Sequence, residues 1–444
     1  MDVIRTVTAA LQEQLGSAAD DLARTCGLVR RQRKFTGQSL LHVLVLTYLR
    51  HPDPTINDFV ATAAVLGLEV SETAIEKRWQ AGQPLIDFIR QVLEQALQRT
   101  IAAQPDAAAL LEKFTAVFVG DSSVITLPDE LADLFPGCGG TAGASRAALK
   151  MHILWDLKTG RLLELQITAG RVADPGGPVA VSEAAAGTLL VYDLGYFDVA
   201  RFAALDACGA RFLSRLQHGT QVADAAGQRL DLLDFLRGQP HGVVDVTIQL
   251  GAVVGLVCRM LAVRVPEEVA NRRRQEARKK ARDHGREASA EYLALLGWNL
   301  FVTNAPADEL SWQGVVVLYR ARWQVELLIK LWKSHNGLAR CRAGAKPLER
   351  LAVFYAKLLG VVLQHWLLLA VAWQIPGRSL MKAARQLREW MLLVLLNLND
   401  AAWVERVLGR LQQVLECVGR VKRRRRNANH AELLNQPELL DWIC

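Results

Sequence analysis

The segment FTAVFVGD, residues 114–121, is an apolar run that ends in a carboxylate. A second such run, TLLVYD, occupies residues 188–193. Both runs are apolar on both faces, as the central strands of a covered sheet must be. Between them lie two more strand-like segments, residues 148–156 and 161–170, followed by an alanine-rich stretch typical of a helix. This order predicts an α/β layer built on a mixed sheet.

Asp121 and Asp193 each follow an apolar strand. A charged side chain at the end of a buried strand lies at the edge of the sheet, where α/β proteins bind their ligands. An aspartate after a strand can also act only as a turn former or a cap. The pair together favours a functional site.

Residues 315–336, VVVLYRARWQVELLIKLWKSHN, predict one helix of at least five turns. Five polar residues recur at spacings of three and four and so share one stripe: Tyr319, Arg322, Glu326, Lys330 and Lys333. The other residues are largely apolar, Trp323 among them, which predicts that most of the helix is buried. The alternative is a surface helix with ordinary ion pairs between residues four apart.

Three carboxylates brought together repel one another unless a hard dication neutralises them, and oxygen ligands suit Mg²⁺ or Mn²⁺. Two such ions can activate a water and stabilise the leaving oxygen in phosphodiester cleavage. Cations one helical turn away can bind the neighbouring phosphate. Asp121, Asp193 and Glu326 with the basic stripe therefore match the needs of nuclease and strand-transfer chemistry.

The composition indicates a folded protein of two to four domains. Of 444 residues, 51% are apolar or aromatic, which excludes a disordered or collagen-like chain. Seven scattered cysteines show no zinc-binding spacing, and the N-terminus shows no secretory signal, so we expect reduced thiols and a cytoplasmic protein.

The net charge of +8 is concentrated in two blocks, at residues 272–286 and 420–426. Residues 55–79 also resemble a helix-turn-helix, with Ser71 as the N-cap of the second helix, although a plain helical hairpin fits as well. Solvated charge is the alternative for both blocks. The candidate DNA contacts are Lys77, Arg78, Arg272, Arg273, Arg274, Lys279, Lys280, Arg423, Arg424 and Arg425.

The 20 uncharged residues 358–377 are long enough to cross a bilayer. Gln364 and His365 lie at their centre and Pro376 near their end, so we expect a buried helix and no membrane association. A membrane span is the alternative.

The hydrophobic pattern changes along the chain between helix-like and strand-like stretches, and these changes predict five regions. They are a helical, DNA-binding domain at 1–105, the first part of the catalytic core at 106–216, a β-rich insertion with a basic block at 217–304, the helical remainder of the core at 305–375, and a helical C-terminal region with a basic run at 376–444.

Tyr319, Arg322, Glu326 and Lys333 together resemble the YREK signature of DDE transposases of the insertion-sequence-4 group, and DLGYFD at Asp193 resembles their second-aspartate motif. GDSSVITLP at Asp121 would hold the first aspartate, and WNLFVTN resembles the strand before the catalytic helix. The resemblance covers residues 113–370.

The resemblance implies a ribonuclease-H-like core with a β-rich insertion, flanked by helical regions. Asp121, Asp193 and Glu326 would hold two Mg²⁺ ions, which Mn²⁺ could replace. Tyr319, Arg322 and Lys333 would contact the DNA phosphate, with Lys330 as an extra cation. Trp298 could stack on a flipped base, or could be ordinary strand core.

The leading hypothesis is a cut-and-paste transposase, working in the prokaryotic cytosol or nucleoid, that cleaves and joins DNA. Its partners would be double-stranded DNA, as terminal inverted repeats and target, and a second copy of the chain in the DNA complex. The alternative is a catalytically inactive DNA-binding or inhibitory derivative of such an enzyme.

Overall fold

The computed structural model describes residues 2–29, 34–138, 146–172, 185–340, 345–421 and 429–440. The N-terminal region is helical, as predicted. Its helices are α1 Val3–Gln14, α2 Ala18–Thr25, α3 Gly37–Arg50, α4 Ile56–Val65, α5 Glu72–Trp79, α6 Gln83–Gln98 and the short α7 Ala109–Glu112. Ser71 does cap α5, since its hydroxyl accepts a hydrogen bond from the Ala74 N–H at 3.4 Å.

Nine strands form one mixed sheet in the order β3-β2-β1-β4-β5-β9-β8-β7-β6. The strands β1, β2 and β3 form an antiparallel meander, and β4 and β5 run parallel to β1. Their bounds are β1 Val117–Leu127, β2 Ala147–Asp156, β3 Leu162–Ala169, β4 Leu189–Tyr192, β5 Arg211–Arg215, β6 Val222–Ala223, β7 Val243–Leu250, β8 Leu256–Arg264 and β9 Trp298–Thr303. This arrangement is a ribonuclease-H-like core in a mixed α/β fold with helical flanks, as predicted.

The predicted β-rich insertion does not stand apart from the core. Its strands β7 and β8 pair antiparallel with each other, and β8 pairs with β9, which pairs in turn with β5. Because β9 offers hydrogen-bonding groups on both sides, the inserted strands extend the core sheet. The helices here are α8 Val199–Ala207, α9 Leu232–Arg237, α10 Glu267–Asp283 and α11 Ala290–Leu295.

The sheet separates two hydrophobic cores because successive side chains point to opposite faces. Val119 and Val191 face the first core, whereas Phe118 and Leu190 face the second. The first core is shared with the N-terminal and C-terminal helices, and the second lies against α8 and the inserted strands.

The C-terminal half is mainly helical after β9. Its helices are α12 Trp312–Ala321, α13 Trp323–Lys330, α14 Pro347–Val371, α15 Leu380–Leu396, α16 Ala401–Val418 and α17 His430–Asn435. The predicted contact residues Arg423, Arg424 and Arg425 lie outside the described residues.

Helix α14 contains residues 358–371 of the uncharged segment. It is long and apolar enough to cross a bilayer, and its most apolar window is entirely buried within the protein. It packs against α3 and α6, and the His365 ring lies edge-on to Trp155 of β2. His365 hydrogen-bonds through Nε2 with the Gly160 carbonyl at 2.7 Å. Gly160 has a φ of +70°, and a Cβ there would lie 2.3 Å from a Leu369 methyl, so the β2–β3 turn requires glycine. The prediction of a buried helix is confirmed.

Candidate active site

Strand register brings Asp121 and Asp193 to the same level of the sheet. In the parallel pairing of β1 with β4, Val119 lies opposite Val191. Asp121 and Asp193 each follow two residues later, so the same register places them opposite each other. Because side chains alternate between faces, both carboxylates lie on the face of Val119 and Val191. Adjacent strands are about 4.8 Å apart, so the aspartates are neighbours.

Asp121 lies inside a strand, not at its end. The apolar part of β1 stops at Gly120, but pairing continues to Leu127, with Asp121 opposite Ile153 of β2. The prediction that both aspartates terminate strands holds only for Asp193, which directly follows β4. The change of hydrophobicity at Asp121 therefore marks the end of the continuously buried part of β1 and not the end of pairing.

Arg215 is a site residue that our sequence analysis missed. The pairing of Tyr192 with Ser214 places Arg215 level with Asp193 on β5, the next parallel strand. Its charge acts on Tyr319. The signal was present, because FLSR is another apolar strand that ends in a charged residue.

The helix predicted at 315–336 is interrupted twice. One break lies at Arg322, between α12 and α13, and the residues after α13 form a π-helical turn, Leu331–His335. Such turns occur often at functional sites. Trp323, predicted to be buried, is 56% exposed beside Arg322.

The guanidinium of Arg322 lies among the three carboxylates. Its Nη2 donates to Glu326 Oε1 at 2.7 Å and lies 3.8 Å from Asp193 Oδ1, and its Nη1 lies 4.0 Å from Asp121 Oδ2. The structure therefore brings Asp121, Asp193 and Glu326 around one positive charge. The Arg322 side chain is only 14% exposed.

Electrostatics at this centre follow from burial and close charges. Burial raises the pKa of Asp121 to about 6, assisted by Glu326 and Asp193 and opposed by the Ser122 N–H and by Arg322. Burial opposes the charge of Arg322, but Asp193, Tyr319 and Glu326 outweigh it and raise the pKa of the guanidinium.

The other polar residues of the predicted stripe lie around this centre. The Tyr319 hydroxyl donates to Asp193 Oδ1 at 3.3 Å, and its ring packs on Phe301. The Lys333 ammonium donates to Ser123 Oγ at 3.0 Å and to the Val124 carbonyl at 2.8 Å, both on β1. Lys330 is exposed one turn beyond Glu326.

The three carboxylates suit a hard divalent cation such as Mg²⁺, which prefers oxygen ligands and completes its coordination with water. Within the described part of the chain, no three acidic, histidine or cysteine side chains are close enough to hold a metal directly. In this structure the Arg322 guanidinium supplies the positive charge that neutralises the three carboxylates. The residues therefore fit a metal in chemistry and charge, provided that the guanidinium moves away.

Trp298 begins β9 and is 7% exposed, with the Arg264 guanidinium 4.7 Å from its ring centroid. It lines a cavity of about 1190 Å³ together with Arg215, His218 and Tyr292, among other residues. One face of the indole is thus covered, and the remaining surface borders a cavity beside the site.

The predicted DNA-contacting residues are distributed over two helices. On α5, Lys77 is exposed, whereas Arg78 is half-buried and donates to the Leu28 carbonyl at 3.2 Å. On α10, Arg274 pairs with Glu267 at 2.6 Å. The exposed cations of α10 include Arg272, Lys279 and Lys280, and Arg273 is half-buried. Arg273 and Lys280 line the same cavity as Arg215 and Leu194, the residue that follows Asp193.

Comparison with known proteins identifies the family. The family model described as Transposase DDE domain matches residues 112–358, which contain all three carboxylates. The chain is 25% identical to the transposase for insertion sequence element IS231F of Bacillus thuringiensis subsp. israelensis, over 91% of this chain and 89% of that protein. It is 24% identical to the transposase for insertion sequence element IS1151 of Clostridium perfringens, over 67% and 66% of the two chains.

A shorter match of 30% identity links the chain to the putative transposase InsL for insertion sequence element IS186A of Escherichia coli strain K12, over 50% of this chain and 61% of that protein. The family match covers more than half of the chain and includes the sheet and the broken helix. The chain therefore belongs to the DDE transposase family, of the insertion-sequence-4-like kind, and is an enzyme with nuclease or transferase activity that depends on a divalent metal.

Proposed function

We propose that this transposase cleaves DNA at the ends of a mobile element and joins those ends to target DNA. The observation that carries the proposal is the convergence of Asp121, Asp193 and Glu326 on one guanidinium. The carboxylates come from two adjacent parallel strands and from a helix that packs on them. Such an arrangement neutralises concentrated negative charge, as a metal site on a phosphodiester requires.

Asp121, Asp193 and Glu326 would hold two Mg²⁺ ions, which Mn²⁺ could replace. When bound, the ions would activate the attacking oxygen and stabilise the leaving oxygen. The Asp121 side chain is only 19% exposed, so less water competes for its carboxylate and its attraction to a cation is stronger than at the surface.

The Arg322 guanidinium would leave the carboxylates and bind the DNA phosphate. Its fork-shaped guanidinium fits phosphate oxygens as well as carboxylates, so the side chain has a second partner when a dication takes its place. The single hydroxyl proton of Tyr319, which is donated to Asp193 in this structure, would be donated to the phosphate when a dication neutralises Asp193. Lys333 and Lys330 would contact the DNA strand further along the helix.

The exposed basic residues of α10, together with Lys77 and the run at 420–426, would bind double-stranded DNA without reading its sequence. We propose terminal inverted repeats and target DNA as the two substrates, and a homodimer in the DNA complex. The helical region 1–105 would provide further DNA contacts, and the reaction would take place where bacterial DNA lies, in the cytosol or nucleoid.

Trp298 is proposed to contact an unstacked base. The cavity that it borders also contains Arg215 and His218, which suit a phosphate, and Tyr292, which suits stacking. Because Arg264 covers one face of the indole, only the remaining surface of Trp298 would be available to a base.

The experiment is a nicking assay with Mg²⁺ on duplex DNA copied from the borders of the coding sequence. Asp121→Asn, Asp193→Asn and Glu326→Gln should each abolish cleavage while DNA binding persists. Asp308→Asn is the matched control, because this exposed carboxylate lies in the loop before α12 and accepts a hydrogen bond from the Glu309 N–H. A parent protein that binds the duplex but never nicks it would instead favour an inactive DNA-binding derivative.

A further inference from the structure

Helix α15, which belongs to the C-terminal region, lies against the end of the catalytic helix. Arg388 of α15 donates through Nη2 to the His335 carbonyl at 3.1 Å, at the last residue of the π-helical turn. Arg385 is on the same face of α15 one turn earlier and is exposed. Two cations that are far from Glu326 in sequence therefore lie beside the helix that carries it.

These cations form a group with Lys330. Burial and the charges of Arg385, Arg388 and Lys330 all lower the pKa of the His335 imidazole. In the part of the chain that the structure describes, none of the three cations forms an ion pair. Glu389, next to Arg388, offsets part of this charge. No salt bridge in the described residues neutralises the exposed Lys330 and Arg385, and positive charge concentrated in this way attracts an anionic partner.

The position of the group identifies that partner. Glu326 and Lys330 lie on successive turns of one helix, and His335 follows Glu326 by nine positions, which corresponds to about 13 Å along the helix axis. This length matches about four nucleotides of one DNA strand, at about 3.4 Å each. A strand whose phosphate reacts at the carboxylates would have its next phosphates beside Lys330, one turn from Glu326, and beside the end of the helix at His335, where Arg388 binds.

We propose that Lys330, Arg385 and Arg388 form a phosphate track for the DNA strand that leaves the active site, with α15 as one wall. The occupant is the backbone of the element-end DNA. Arg388 positions the track through its bond to the His335 carbonyl, and the exposed Lys330 and Arg385 contact phosphates. The track rests on the proposed function, because it assumes that the reacting phosphate lies at the three carboxylates.

The test measures binding in the absence of divalent metal, so that its result does not depend on cleavage. The probes are the border duplex described above and an unrelated duplex of equal length. Arg385→Gln should reduce the slope of log affinity against log salt by about 0.9 and weaken binding to the border duplex about eightfold at about 0.1 M salt. Arg410→Gln on α16 is the matched control, because it removes the same charge from an exposed position on the next helix.

A neutral methylphosphonate placed singly along the strand locates the contact. In the parent, substitution within about four nucleotides of the scissile phosphate should weaken binding, and in Arg385→Gln that same substitution should cost nothing more. An unchanged salt slope, or interference that persists in Arg385→Gln, overturns the proposal. Loss of binding only to the unrelated duplex also overturns it, because the track would then hold target DNA. If the parent never nicked DNA, the proposed function would be refuted. The binding test could still be interpreted, because it does not require cleavage.

Discussion

Replacement of Arg322 by alanine should increase the affinity of the protein for Mn²⁺ while it decreases DNA cleavage. In the structure the guanidinium contacts all three carboxylates, so a divalent cation must displace it. Removal of the side chain removes that competitor. Because the same side chain is proposed to bind the DNA phosphate, cleavage should fall in the variant that binds metal more tightly.

The size of the effect follows from the contacts of Arg322. Two unit charges about 4 Å apart attract by about 4 kcal/mol at an effective dielectric constant of about 20. Water screens much of this attraction, since the Asp193 and Glu326 side chains are 43% and 39% exposed. We expect a net displacement cost of about 1–2 kcal/mol, which corresponds to about a tenfold change in Mn²⁺ affinity.

The measurement is a titration of free Mn²⁺ by electron paramagnetic resonance, without DNA. Arg322→Lys should give an intermediate affinity, because one ammonium cannot reach three carboxylates at once. Lys330→Ala is the control, because it also removes one positive charge near Glu326. In the described residues the Lys330 ammonium forms no ion pair with a carboxylate, so this variant should change Mn²⁺ affinity less than about twofold. If Arg322→Ala bound Mn²⁺ as tightly as the parent or more weakly, the guanidinium would not compete with the metal for the three carboxylates, and this reasoning would be refuted.

Three more results are expected. Burial lowers the pKa of His365 to about 4, against about 6.5 in the unfolded chain, so the unfolded state binds more protons between these values and stability should fall as the pH drops from about 6.5 towards 4. His365→Leu should flatten the pH dependence of the thermal midpoint in that window, and an unchanged slope would contradict this. Lys357 donates to three backbone carbonyls, so Lys357→Met should reduce the free energy of unfolding in urea by more than about 2 kcal/mol, whereas the exposed Lys346→Met should change it by less than about 0.5 kcal/mol. Replacement of Lys279 and Lys280 by glutamine should weaken binding to every duplex and reduce the salt slope by about 0.9 per contact; an unchanged slope would leave them as solvated charge.

The sequence by itself was sufficient for the features that depend on local pattern. Apolar runs predicted central strands, because a strand covered on both faces cannot alternate. Spacings of three and four placed Tyr319, Arg322 and Glu326 on one face of a helix. The change from apolar to charged residues at Asp121 and Asp193 marked the edge of burial, so the candidate carboxylates could be chosen before any register was known.

Tertiary structure alone decided how those residues meet. The match of Asp121 with Asp193 and of Asp193 with Arg215 depends on strand register, and register is set by pairing between segments that are distant along the chain. The breaks at Arg322 and at the π-helical turn could not be read from helical periodicity. The position of Arg388 beside His335 depends on where α15 docks. Local pattern determines which side chains a segment presents, but only the packing of distant segments determines which charges become neighbours.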